Sequence, residues 1–344
     1  MSGAGSATAL QVRLYRADDE PAVLDLLGAT LGDGPAGERP PDLFRWKHFD
    51  NPFGPSFMLV AEADGRIVGL RAFLRWRFRA GHGAVDAVRA VDTATHPAHQ
   101  GRGIFSRLTL EALDALRDEV DLVFNTPNEK SLPGYLKMGW HIVGNVPISL
   151  RVRRPVRFVL GIRSIDGETG DRRERPAVDA EPAASVLRDD DRVASLLERA
   201  FQQDTRLSTP ADLAYLRWRY GAAPLLDYRA VTVEGEGRLH GLALFRVRPR
   251  GSLWEATVAE VLVPAGDRRT ALTLLRQIAR AAPVDHLTCR FPAGSPARKA
   301  AARWGAVRSS RGMTLVVNPL RLGIEPDPTD LRSWALSLGD LEVF

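Results

Sequence analysis

The chain of 344 residues has one cysteine, Cys289. A single thiol excludes a disulfide within the chain and argues against a cysteine-based metal site. Cys289 sits in an apolar, strand-like run and reads as core packing. The seven histidines are scattered without ligand spacing, so no metal is expected. No run of 18 apolar residues occurs, which excludes a predicted membrane helix. The start, Met1 to Ala9, is small and polar and lacks the basic and apolar regions of a signal peptide. It reads as a frayed end in a cytoplasmic protein with no membrane partner.

Charge is present in excess of one sign. Lys and Arg total 47 against 42 Asp and Glu, giving +5. Such a balance suits nucleic acid, an anionic surface or a ligand with several phosphates. No basic patch interleaved with aromatics is evident, so no nucleic-acid partner is expected. The arginine-rich stretches 71–79 and 246–250 read as solvated strand faces or pocket rims.

The chain is written twice. An offset of 172 pairs Asp18 with Asp190, Leu24 with Leu196, Arg45-Trp46 with Arg217-Trp218 and Pro52 with Pro224. The same offset pairs Glu62 with Glu234, Gly69-Leu70 with Gly241-Leu242, and Phe73 with Phe245. Each copy reads as a helix, a Trp-containing helix and a hairpin. The first hairpin turns at Asp64-Gly65, a strong two-residue signal, and the second at Glu236-Gly237. Downstream, Val261–Val263, the helical run 271–282, Arg303-Trp304-Gly305 and the strand 313–317 repeat elements of the first copy with small shifts. The fold class is mixed α/β (α+β): two tandem domains, each a mixed, mostly antiparallel sheet flanked by helices. Expected boundaries are 1–155, a charged linker at 156–183, a second domain at 184–320 and a tail at 321–344.

The richest stretch runs from His96 to Leu108, HPAHQGRGIFSRL. It follows a strand-like run, 87–93, and opens a helix-like run, 104–118. Gly101 and Gly103 carry no Cβ and let backbone approach a ligand. The helix start behind them offers unpaired N–H groups and partial positive charge, a seat for phosphate. A tight strand-to-helix turn is the plain alternative. The dinucleotide fingerprint lacks its third glycine, since Ser106 stands there, and the Walker Gly-Lys-Ser/Thr is absent. A buried strand, Leu122-Val123-Phe124, leads to a second motif: Asn128, Tyr135 seven residues on, then Gly139-Trp140.

Gln100-x-x-Gly103-x-Phe105 resembles the acyl-CoA loop of the GNAT acetyltransferases. Phe105 departs from it, standing where small residues are usual. The spacing of Asn128, Tyr135 and Gly139-Trp140 resembles the same superfamily. The resemblance implies an acyl-CoA-dependent N-acyltransferase with acetyl-CoA as co-substrate. The acetyl group would pass to a primary amine of a small molecule, such as an amino sugar, an antibiotic or an amino acid derivative. It implies a thioester in a gap between two parallel strands, under direct attack by the amine. Residues Thr93, Ala94, Thr95, Gln100, Gly101, Arg102, Gly103, Ile104, Asn128, Ser131 and Tyr135 would bind the acyl-CoA. A backbone N–H near 92–94 would polarise the carbonyl.

By the same resemblance Tyr135 is the general acid, protonated at neutral pH and able to reach the thiolate from a helix start. A core tyrosine with its hydroxyl at the surface is the alternative. Asn128 would bond the pantetheine arm or order the site. Asp92 is the candidate base, against an ordinary strand-end carboxylate. His96 and His99 read as loop surface residues. The carboxylate of Phe344 is a further candidate base, by likeness in layout to acetyltransferases of the enhanced-intracellular-survival type. The segment 45–54 could line the acceptor pocket, although Phe44, Trp46 and Phe49 read as helix packing.

The second copy does not repeat the chemistry. Aligning Pro97 with Pro264 sets Arg268 and Thr270 against Gly101 and Gly103, and Ala300 or Ala301 against Tyr135. A monomer or homodimer is expected. The alternative function is a non-catalytic acyl-CoA-binding or scaffold protein.

Overall fold

The computed structural model describes residues 10–31, 40–81, 83–161, 176–200 and 204–342. The N-terminal stretch, half of the charged linker and the Phe344 carboxylate lie outside them.

Among the described residues twelve strands form one sheet, in the order β1-β2-β3-β4-β5-β12-β6-β11-β10-β9-β8-β7. The first copy supplies β1 (Gln11–Leu14), β2 (Phe57–Ala63), β3 (Arg66–Ala80), β4 (Gly83–Thr95), β5 (Leu122–Asn125) and β6 (His141–Val152). The second supplies β7 (Glu181–Pro182), β8 (Tyr228–Gly235), β9 (Arg238–Arg250), β10 (Leu253–Leu262), β11 (His286–Cys289) and β12 (Val307–Pro319). The β2–β3 turn places Asp64 at φ 51° and Gly65 at φ 69°, and the β8–β9 turn repeats this at Glu236 (51°) and Gly237 (70°). Both are turns whose twist matches the strands they join.

The closing strands are exchanged. β12, from the second copy, pairs with β5 of the first. β6, from the first, pairs with β11 of the second. β6 and β12 pair with each other at the centre. The two halves thus share one continuous sheet.

Alternation along the strands sorts side chains into two layers. One face of each half turns inward to a shared core holding Trp46, Trp76, Phe124, Tyr215, Trp218 and Trp334. The other faces lie under helix Ile104–Leu116 in the first half and helix Arg268–Ala281 in the second. Glycine lets each helix sit close: a Cβ on Gly69 would meet Ile104 Cγ2 at 2.8 Å, and one on Gly241 would meet Thr270 Cγ2 at 2.6 Å. Thr270 therefore takes the place of Ile104, one position away from the sequence alignment. The strand before the second loop also ends at Leu262, so Val263 lies beyond it.

The described parts of the expected linker carry helix Pro155–Gly161 at one end and β7 at the other. Much of the expected tail is packed inside, with Trp334, Leu336, Leu338 and Leu341 buried. Two arginines of the stretches expected to be solvated are buried as well. Arg71 and Arg246 are 0% and 6% exposed, because the first lies beneath helices of the first half and the second pairs with Glu342. Cys289 is buried, and burial pushes its thiol up to about 12. Among the described residues no helix is long and apolar enough to cross a membrane.

Candidate active site

β4 and β5 run parallel but pair only at Ala87–Leu122, Val88–Val123 and Arg89–Phe124. β4 continues to Thr95 while β5 stops at Asn125. The strands part beyond Arg89 and open a cleft of about 660 Å³. Nine of the predicted residues line it: Thr93, Thr95, Gln100, Gly101, Gly103, Ile104, Asn128, Ser131 and Tyr135. Asp92 lines it too. Ala94 does not, being buried in the shared core on the opposite face, and neither does Arg102, which is exposed on the loop.

The loop has the backbone its glycines predict. Gly101 and Gly103 both sit at φ 75°, the left-handed region. A Cβ at either would meet nothing within 4 Å, so conformation rather than space requires glycine. Gly103 is the N-cap of helix Ile104–Leu116 and supplies no side-chain acceptor. The first-turn N–H groups are left for a ligand. Gln100 turns back, its Nε2 donating to Thr95 O at 3.2 Å.

The second half has lost this loop. Its helix begins at Arg268, so Arg268 and Arg269 lie in the helical first turn ahead of Thr270. Asp267 caps it, accepting from Thr270 N at 2.9 Å. A carboxylate on the amides repels a phosphate.

Tyr135 lies in helix Leu132–Lys137 and is 5% exposed. Its Oη accepts from Arg71 Nη1 at 3.0 Å. Arg71 also donates to Thr93 Oγ1 and lies over the rings of Phe73, Phe105 and Tyr135. Arg71 Nε and Nη2 are buried without a protein partner. The strand alternation hid this residue, since Arg75, Arg77 and Arg79 share its face. Phe73 on that same face was the signal that this end is covered.

Phe105 has a counterpart that explains it. A Cβ on Gly134 would meet Phe105 Cε1 at 3.0 Å. The bulky ring at the start of one helix fills the space left by a glycine in the other. It packs edge-on against Tyr135 with centroids 5.5 Å apart. Asn128 organises the turn below: its Oδ1 accepts from Ser131 N at 2.9 Å and Ser131 Oγ at 3.0 Å.

Asp92 is the extra residue of a bulge in β4, between Val91 opposite Ala72 and Thr93 opposite Arg71, with φ 36°. The bulge re-aims its side chain toward helix Pro41–His48. Lys47 Nζ lies 2.7 Å and His48 Nε2 2.8 Å from Asp92 Oδ2. Burial alone would raise this carboxyl, but the charge of Lys47 and the His48 bond hold it well below the usual range. Burial also lowers His48, against the pull of Asp92, so the ring is neutral at pH 7. With Nε2–H donating to Asp92, Nδ1 accepts from Ser56 Oγ at 2.9 Å. The segment 45–54 thus supplies Lys47 and His48 to the site, while Phe44 and Trp46 pack inside as expected and Phe49 is 41% exposed. His96 stays exposed on the loop, its Nδ1 accepting from Ala98 N, whereas His99 is half-buried and lines the cleft. Among the described residues no group of three or more His, Cys, Asp or Glu could hold a metal.

The profile of the acetyltransferase (GNAT) domain matches residues 11–143. Residues 11–143 form a GNAT acetyltransferase-type domain. The matched region lies within the first half and holds the loop, the strand gap and Tyr135. The fold likeness extends across both halves. A GCN5-related N-acetyltransferase from Anabaena variabilis superposes with a TM-score of 0.62 at 12% identity, over 91% of this chain and 74% of that one. A probable N-acyltransferase from Enterococcus faecalis V583 gives 0.60 at 13%, over 92% and 74%. Eis1 from Mycobacterium abscessus gives 0.54 at 14%, over 91% and 74%. No curated protein matches the sequence.

Proposed function

We propose that the protein transfers an acetyl group from acetyl-CoA to a primary amine of a small molecule, within a ternary complex in the first half. The observation that carries this is the meeting of three features in one cleft: the open helix start behind Gly101 and Gly103, the gap between β4 and β5, and the Tyr135 hydroxyl.

The pyrophosphate sits on the amides from about Gln100 to Ile104. Asn128 uses Oδ1 within its own turn and turns its amide NH2 to the pantetheine arm. The amine nitrogen attacks the thioester carbon, and backbone N–H on the β4 edge receives the developing oxyanion. Such donors contribute about 3 kcal/mol each. As the C–S bond breaks, Tyr135 protonates the thiolate. Its oxygen already accepts from Arg71, so its own proton is directed away from Arg71.

Asp92 Oδ2 meets Lys47 and His48, and the carboxylate also accepts from the substrate ammonium. A carboxylate held so far below neutrality is a weak base, so it orients the amine and the proton passes on to water. That weakness is also the observation favouring the second reading, an acyl-CoA-binding protein without turnover. A panel of amines with acetyl-CoA, followed by thiol release, separates the two. Release with at least one amine supports transfer; acetyl-CoA binding without release from any amine supports the binding reading.

A further inference from the structure

The second half keeps a cleft where the first half has its acyl cleft. It is a cavity of about 440 Å³ between the end of β10, the turn at 265–266 and the segment 291–297. Its loop end is closed to phosphate by the Asp267 cap described above. At its sheet end β10 and β11 also part, pairing no further than Val258–Cys289 while β10 runs on to Leu262, and two carboxyl groups stand there. Glu260 stands on β10 opposite Leu244, where β4 carries Val91 opposite Ala72. Asp340 comes from the last turn of the chain, helix Leu338–Leu341. Both line the cavity and are 8% and 5% exposed.

The pair is held from behind. Tyr220 Oη donates to Glu260 Oε1 at 2.9 Å, and Ser337 Oγ donates to the same oxygen at 2.6 Å. Ser337 N donates to Asp340 Oδ2 at 2.6 Å. Burial and the neighbouring Asp340 push Glu260 up to about 8, and burial raises Asp340 as well. The other charged or titratable groups facing Glu260 are Tyr215, Tyr220 and Arg219. Arg219 donates to the backbone oxygens of Gly339 and Glu342. At the rim Asp204 and Arg206 pair with each other. Arg89 and Arg290 act on Asp340 as Arg219 acts on Glu260, and burial still favours the protonated form of the pair.

One further group is unmatched. Ser208 Oγ lines the same cavity, in a residue 7% exposed, and has no protein hydrogen-bond partner. The remaining walls include Leu262, Val263, Phe291 and Ala297. The volume lies in the range of small-molecule sites.

We propose that this cavity binds a small amphipathic amine, with its ammonium on Glu260, Asp340 and Ser208 Oγ and its hydrocarbon part against Phe291 and Leu262. The ligand cation takes over the role of the shared proton, which is released to solvent on binding. The site is separate from the acyl-transfer cleft and does not depend on that reading.

Calorimetry on the full chain tests this with phenethylamine as the probe and 2-phenylethanol as its neutral isostere, in two buffers of different ionisation enthalpy. Phenethylamine is expected to bind and release protons, and 2-phenylethanol to bind at least about tenfold more weakly. Glu260→Gln is expected to weaken the amine by a similar factor. Ala265→Trp, an exposed position at the cavity mouth, is expected to block it should Glu260→Gln not fold. Asp92→Asn and saturating acetyl-CoA are expected to leave it unchanged. Three results each overturn the proposal: no binding of the amine, equal binding of the alcohol, or loss in Asp92→Asn with retention in Glu260→Gln and Ala265→Trp.

Discussion

Trp46 and Trp218 hold each other by the same bond in both directions. Trp46 Nε1 donates to Trp218 O at 2.7 Å, and Trp218 Nε1 donates to Trp46 O at 2.9 Å. Their rings stack with centroids 5.1 Å apart and planes 21° apart. The two are 172 residues apart, the offset of the sequence repeat. A contact in which each residue does to the other what it receives is the signature of a two-fold axis, here one internal to a single chain.

Trp46→Phe and Trp218→Phe should destabilise the protein by closely similar amounts. Each keeps an aromatic ring but leaves one buried carbonyl without its donor, a loss of about 1–3 kcal/mol. The double substitution should cost measurably less or more than the sum, because the residues touch. Denaturant unfolding of the four proteins checks this. Strongly unequal single costs, or strict additivity, would contradict the symmetric pair.

Gly134 and Phe105 should behave as one unit. Gly134→Ala brings a Cβ to 3.0 Å from the Phe105 ring, which in turn rests on Tyr135. Overpacking of this kind costs about 1–3 kcal/mol, and displacement of Tyr135 should lower turnover. Adding Phe105→Leu should restore both. A double variant no better than Gly134→Ala would sink the link between the two positions.

Stability should fall in acid through Asp92. Its folded carboxyl binds a proton more weakly than the unfolded one, whose pKa is about 3.9. The contribution is therefore fully present above that value and is lost as pH falls below it toward the lower folded one. Lys47→Met should cost about 3–5 kcal/mol at pH 7, since it leaves a buried carboxylate short of its cation. It should also flatten the acid limb. Thermal unfolding between pH 3 and 7 reads both, and an acid limb as steep as in the wild type would exclude Asp92 as its source.

Arg71 should act on turnover rather than on binding. Arg71→Met removes the donor to Tyr135 while filling the same buried space. A drop in kcat of roughly a hundredfold is expected, the scale for one lost preorganised donor, with acetyl-CoA affinity little changed. If affinity falls and kcat holds, Arg71 shapes the pocket instead.

Much of this was legible from residues alone because local chemistry dictates it. Asp64-Gly65 and Glu236-Gly237 turn where they should, and Gly101 and Gly103 adopt the φ that only glycine takes freely. What was hidden depends on distant partners. The closing strands β6 and β12 resemble each other, so no pattern within either says which half it will join. Arg71 reads as a solvated strand residue until helix Leu132–Lys137 covers it. Lys47 and His48 meet Asp92 only because a bulge turns that side chain across to another helix. Thr270 is one residue out of the aligned position because its helix starts early, which local similarity cannot register.

The most direct test of the account is calorimetric titration of acetyl-CoA into the full chain and into Gly103→Val, a β-branched residue that opposes the left-handed loop. The account predicts a single acetyl-CoA per chain, bound in the first half, and a large loss of affinity in the variant. Two acetyl-CoA per chain, or undiminished binding in Gly103→Val, would contradict it.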